Sequence, residues 1–131
     1  MSGPFTWPVR IYWEDTDASG VVYHANYLRY FERARSEWLR SLGHDQESMR
    51  VGQGIAFTIA NLEIRYMKPA RLDDALEATV EVSELRRASL SFRQQLRRAG
   101  SGEVLAEASV RAGCVDAATF RPVALPPLGF K

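Results

Sequence analysis

Polar and apolar residues along this chain change their spacing twice, near residue 26 and again after residue 53, and the changes set a helical part between a short first strand and a longer strand part. From Asn26 the residues Tyr27, Leu28, Phe31, Ala34, Arg35, Trp38, Leu39 and Leu42 recur at steps of three and four. They predict a broad apolar stripe interrupted by Arg35, with Glu32, Arg33, Ser36, Glu37 and Arg40 on the solvent side. Gly43 stands where a helix of about eighteen residues, roughly 27 Å long, would need a residue free to turn left-handed. After an irregular connection over 44–53 with room for one helical turn, the spacing falls to two. Phe57 to Lys68 reads as an extended run stopped by Pro69. Leu76, Ala78, Val80 and Val82 alternate with Glu77, Thr79, Glu81 and Ser83, and Ala88 to Leu96 repeats the alternation. Ala99-Gly100-Ser101-Gly102 has the composition of a hairpin turn. Val104, Ala106, Ala108, Val110, Ala112 and Cys114 then form an inward row, small enough for a helix to approach closely. Upstream, Val9 to Trp13 predicts a short first strand.

This order, a strand, a long helix and four strands joined by hairpins, predicts an α+β fold with one five-stranded antiparallel sheet around the helix. The 131 residues form one domain, with a core over about 9–116 and an edge or extended arm over 117–131, where Pro122, Pro126 and Pro127 cluster. Such a sheet leaves an open edge and a partly apolar face, and the edge or the face is expected to be covered by a second copy.

Composition removes several function classes. With 17 Lys+Arg against 16 Asp+Glu, no overall field recruits nucleic acid or a membrane. One cysteine and two histidines make a structural zinc site implausible. Residues 1–7 contain neither a basic stretch nor a long apolar run, so no signal peptide or membrane span is expected, and a cytoplasmic location is the default.

The chemistry concentrates in Glu14-Asp15-Thr16-Asp17-Ala18-Ser19-Gly20-Val21-Val22-Tyr23-His24-Ala25-Asn26-Tyr27, where two carboxylates precede a glycine, a histidine and the helix start. A helix head offers unpaired N–H groups and partial positive charge to an oxyanion, and a carboxylate can act as base or nucleophile. Spacing alone leaves open which of Asp15 and Asp17 is a turn former. His24 reads either as a surface or capping residue or as a neutral ring holding water or a carbonyl. His44 reads as a solvated loop residue and Cys114 as inert packing.

Tyr12 through Tyr27, followed by Tyr30-Phe31-Glu32-Arg33-Ala34-Arg35, resembles the hotdog-fold acyl-CoA thioesterases. The nearest branch is the Tol-Pal-associated one, related to 4-hydroxybenzoyl-CoA thioesterase. Arg65-Tyr66-Met67-Lys68-Pro69-Ala70-Arg71-Leu72-Asp73-Asp74 is similar to that branch's second segment. The resemblance implies a hotdog fold, a homodimer or homotetramer, and hydrolysis of acyl-CoA without a metal or a resident cofactor. Asp17 takes the catalytic carboxylate's place, Tyr23-His24 the oxyanion site, and His24 is expected to assist. Gly20, Val22, Tyr23, Asn26 and Tyr27 fall among substrate-contacting positions, although by residue type Tyr27, Tyr30, Phe31 and Trp38 read as core. Arg86, Arg87 and Ser89 match a hairpin that meets the phosphates of coenzyme A. Ser19, at a position commonly Gly, is expected to matter little. The carrier could be acyl carrier protein. Rival readings are a hotdog enoyl-CoA hydratase and a non-catalytic acyl-ligand scaffold.

Overall fold

The computed structural model describes residues 4–129; the ends of the predicted domain, residues 1–3 and 130–131, lie outside the described residues. Five strands, β1 (Phe5–Arg10), β2 (Ile55–Tyr66), β3 (Ala75–Leu85), β4 (Ser89–Arg98) and β5 (Val104–Asp116), form one antiparallel sheet in the order β1-β3-β4-β5-β2. The sheet curls around α1 (Asn26–Ser41), whose 16 residues span about 24 Å. This is the predicted α+β hotdog arrangement, with one correction to its connections. β3–β4 and β4–β5 are hairpins, but β2 pairs with β5, so the chain crosses the sheet between β2 and β3.

The helix ends as its sequence requires. Gly43, at φ 91°, donates to the Arg40 carbonyl and His44 to the Leu39 carbonyl, the paired bonds of a left-handed cap. Tyr27, Tyr30, Phe31, Ala34, Trp38 and Leu39 are buried against the sheet. The helix settles most closely on β3, where Ala78 is small enough to admit it, and also meets β1 and β4; the small inward residues of β5, Ala106, Ala108 and Ala112, are buried further from its axis. Gln94 is fully buried between these layers. Its amide donates to the Phe31 and Thr79 carbonyls, and its oxygen accepts from Arg35. The β3–β4 pairing skips Thr79 and Val80, and side chains replace the missing ladder bonds there, since the Thr79 hydroxyl also accepts from Gln95 N–H. Arg35, which interrupts the apolar stripe, thus has a buried partner.

Three expectations change and one narrows. The first strand runs from Phe5 and ends at Arg10, because an edge strand tolerates Pro8; Trp13 instead opens a 3₁₀ turn (Trp13–Asp15). The outer sheet face is polar rather than partly apolar, laced by Glu77–Arg97, Glu81–Arg93 and Arg65–Glu107 pairs, and the sheet's two edges are β1 and β2. Of the two expectations for the tail, an edge or an extended arm, the described residues follow the first: Pro122 bridges to Val115, Val123 N–H bonds the Cys114 carbonyl, Leu125 N–H bonds the Arg87 carbonyl, and Leu128 is buried. His44 is half-buried, its ring nitrogen 3.1 Å from the Leu128 carbonyl, because the returning tail covers it.

Candidate active site

The segment between β1 and α1 is pinned to the residues that lead into β3. Ile11 exchanges backbone bonds with Asp73 and Asp74, Val22 N–H bonds the Ala70 carbonyl, and isolated bridges join Thr16 to Val22 and Val21 to Arg71. Within this frame the two carboxylates separate in role. Asp15 turns inward: its Oδ2 accepts from Tyr12 N–H at 2.7 Å, closing the 3₁₀ turn. The Asp15 carbonyl accepts from Tyr23 N–H and from the Asn26 amide. The nearby Tyr30 hydroxyl is held well above the usual phenol range, first by burial and then by the Asp15 charge.

Asp17 is exposed. Its backbone closes a tight turn, with Asp17 N–H to the Val21 carbonyl and Gly20 N–H to the Asp17 carbonyl; Gly20 supplies the φ of 86° that the turn needs. Its Oδ1 accepts from both the N–H and the hydroxyl of Ser19, while Oδ2 takes no bond from another described residue. The Ser19 hydroxyl, then the Ser19 amide, hold the Asp17 carboxyl below the usual carboxylate range, with a smaller contribution from the nearby His24. Ser19, expected to matter little, is what orients this group. A serine two residues after an aspartate in a turn is the signal that identifies it.

The helix head lies directly after this turn. The Tyr23, His24 and Ala25 carbonyls already accept from the N–H groups of Asn26, Tyr27 and Leu28, and Tyr23 N–H is committed to Asp15. His24 N–H and Ala25 N–H have no backbone acceptor among the described residues, at the positive end of the helix dipole. The exposed His24 ring packs 4.7 Å from the Tyr23 ring, and Tyr66 donates its hydroxyl to the His24 carbonyl at 2.8 Å. Tyr66 also escaped the sequence reading, since the strand pattern carried no sign that its end meets the helix head. Val22, Asn26 and Tyr27 are buried behind the loop; the Tyr27 hydroxyl accepts from Ala70 N–H. Gly20 and Tyr23 stand on the exposed side with Asp17 and His24.

Arg86, Arg87 and Ser89 are not brought to this place within one chain. They sit at the β3–β4 tip, where Arg86 pairs with Glu84 at 3.1 Å and Ser89 is half-buried. The loop carrying Asp17 joins the opposite end of β3, eleven residues away and hence roughly 33 Å. Toward the tip end, an open cleft of about 140 Å³ separates the second half of α1 from β2. Its walls include Trp38, Leu39, Phe57, Ile59 and Leu128, with Glu32 and Arg35 also lining it. Among the described residues, no three His, Cys, Asp or Glu side chains gather as a metal site.

Comparison with known proteins bears on this arrangement. Residues 19–105 match the thioesterase superfamily. The chain is 48% identical to the acyl-CoA thioesterase YbgC of Haemophilus influenzae, covering 96% of this chain and 91% of that protein. It is 45% identical to the acyl-CoA thioester hydrolase YbgC of Escherichia coli, covering 93% and 90%. The crystal structure of a probable thioesterase from Bartonella henselae superposes with a TM-score of 0.89 at 33% identity, covering 95% of this chain and all of that one.

Proposed function

The chain belongs to the thioesterase superfamily, and from that premise we propose that it hydrolyses acyl-CoA thioesters to a free acid and coenzyme A through Asp17 and the head of α1. The observation that carries the residue assignment is the state of the carboxylate: one Asp17 oxygen is fixed by Ser19 and the other is open, next to a helix head with two unspent amides. Asp17 either deprotonates a water that attacks the carbonyl, or attacks the carbonyl itself. In each case the C–S bond breaks and the coenzyme A thiolate leaves, and in the second the resulting mixed anhydride is opened by water. In both routes negative charge grows on the thioester oxygen, where preorganised N–H donors lower the barrier most. The His24 ring stands beside the reacting groups as an assisting polar side chain.

A second copy completes the site. Asp17, Gly20, Tyr23 and His24 are all exposed in the single chain, whereas oxyanion stabilisation gains strength from exclusion of water. β2 is an edge strand running from Ile55, at the tip end, to Tyr66, at the helix head. Antiparallel pairing of two β2 edges brings one chain's tip end to the other chain's helix head. Arg86 and Arg87 of one copy then meet the phosphates of a substrate whose thioester lies at Asp17 of the other. The apolar cleft beside β2 is the surface suited to the acyl group. Acyl-CoA availability places such an enzyme in the cytoplasm, and acyl carrier protein is an alternative carrier of the same thioester.

The test is release of free thiol from a panel of acyl-CoAs. The wild-type protein is expected to release coenzyme A, and Asp17→Asn to lose at least about a hundredfold in kcat while folding normally, since Asn still accepts the Ser19 bonds. Wild-type turnover by Asp17→Asn removes Asp17 from the chemistry. Hydration of an enoyl-CoA without thiol release assigns the site to a different reaction.

A further inference from the structure

We propose that Tyr66 is a positioning residue for thioester hydrolysis, aiming the free amide at the head of α1 by holding the opposite end of the same peptide group. The inference rests on the Asp17 site described above. His24 C=O and Ala25 N–H belong to one planar unit, in which oxygen and hydrogen point in opposite directions. A 2.8 Å bond from the Tyr66 hydroxyl to that oxygen therefore fixes where the Ala25 N–H points. Tyr27 N–H reaches the same oxygen only at 3.4 Å, a long contact that leaves the orientation to Tyr66. A bond accepted at the carbonyl also polarises the amide, so its N–H becomes a better donor to a growing oxyanion.

Tyr66 is itself well fixed. It is the last residue of β2, paired with Ala106, and its ring meets the Tyr27 ring edge-on at 5.0 Å. Tyr27 is tied in turn to the Ala70 amide. Burial, and then the neighbouring Tyr27, push the Tyr66 hydroxyl's acidity down, so it remains a donor through neutral and mildly alkaline pH. Tyr66 exchanges no proton with substrate and forms no bond to it; its effect runs through the 24–25 peptide.

Tyr66→Phe retains the ring contacts and deletes the one hydroxyl. The expected result is a roughly tenfold lower kcat with little change in KM or melting temperature, a fraction of the loss from deleting an oxyanion donor outright. A purely structural role would instead lower the melting temperature and raise KM. The second readout is the carbonyl stretch of an isotope-labelled acyl-CoA bound to Asp17→Asn, which holds the thioester uncleaved. Adding Tyr66→Phe is expected to move that band to higher frequency, towards its value in water; an unmoved band overturns the proposal whatever happens to kcat. If Asp17→Asn turns over at the wild-type rate, the site reading itself has failed. If that variant is inactive and the band stays in place, only the Tyr66 assignment falls.

Discussion

Mixing two variants, each with one defective part of the site, decides whether the site is shared between chains. Asp17 and the Arg86–Arg87 tip lie at opposite ends of β3, roughly 33 Å apart along the strand, too far for one extended substrate to satisfy within a single chain. One variant carries Asp17→Asn; the other carries Arg86→Ala with Arg87→Ala. Each homodimer has only damaged sites. In a twofold heterodimer, one site combines Asp17 from the arginine variant with the intact arginines of the Asp17 variant, and the other site carries both defects. Random re-association of equal amounts gives about half heterodimers with one good site each, so about a quarter of wild-type kcat/KM returns. The assay is thiol release at substrate concentrations well below KM, after the variants are dissociated together and allowed to re-form. Activity equal to the mean of the two separate variants refutes the shared site, provided that differently tagged chains are seen to exchange. The arginine variant alone supplies a further check, because its defect is expected in KM rather than kcat. Its Arg86–Glu84 pair is too exposed to matter much to stability.

Two other outcomes follow from groups already placed. Ser19→Ala removes the hydroxyl that does most to hold the Asp17 carboxyl below its usual range while keeping the Ser19 amide. The folded-state pKa therefore rises, and the acid limb of the kcat/KM profile moves to higher pH; an unmoved limb would mean that Asp17 is not the group titrating there. Gln94→Leu preserves volume but leaves the Thr79 carbonyl and the Arg35 guanidinium without their buried partner, costing about 2–4 kcal/mol in urea unfolding. A loss below about 0.5 kcal/mol would show that water or a shifted backbone replaces the amide.

The helix and the strands were legible because their spacing is local: Tyr27 to Leu42 keeps its three- and four-residue steps whatever the rest of the chain does, and Gly43 marks the stop. Sheet order was not. Ile55–Tyr66 pairs with β5 rather than with the strand that follows it, a long-range choice that local spacing does not record. The same difference of range separates the parts of the site. Asp17 and the helix start at Asn26 are nine residues apart and could be read together. The Tyr66 hydroxyl on the His24 carbonyl joins residues 42 apart. Arg35 shows the limit most clearly. On the helix it looked like an interruption of an apolar stripe, and only the fold reveals the acceptor, Gln94, that makes its partial burial tolerable.

The exposure of Asp17 in the single chain follows from the same division of labour. A turn of exposed, hydrogen-bonding residues can fold and hold its carboxylate without help, because Ser19, Gly20 and Val21 supply every local bond it needs. The low-dielectric surroundings that make oxyanion donors effective cannot come from such a turn, whose neighbours Trp13 and Tyr23 are themselves open to solvent. Under the proposed β2 pairing they come from the second copy. The β2 edge ends at Tyr66, beside the helix head, so pairing along that edge covers the donors in the same step that brings the second chain's tip into reach. On that proposal the isolated chain holds Asp17 and His24 in solvent, and assembly and activation are one event. Activity should therefore fall on dilution in step with dimer dissociation, while the helical signal in circular dichroism stays constant.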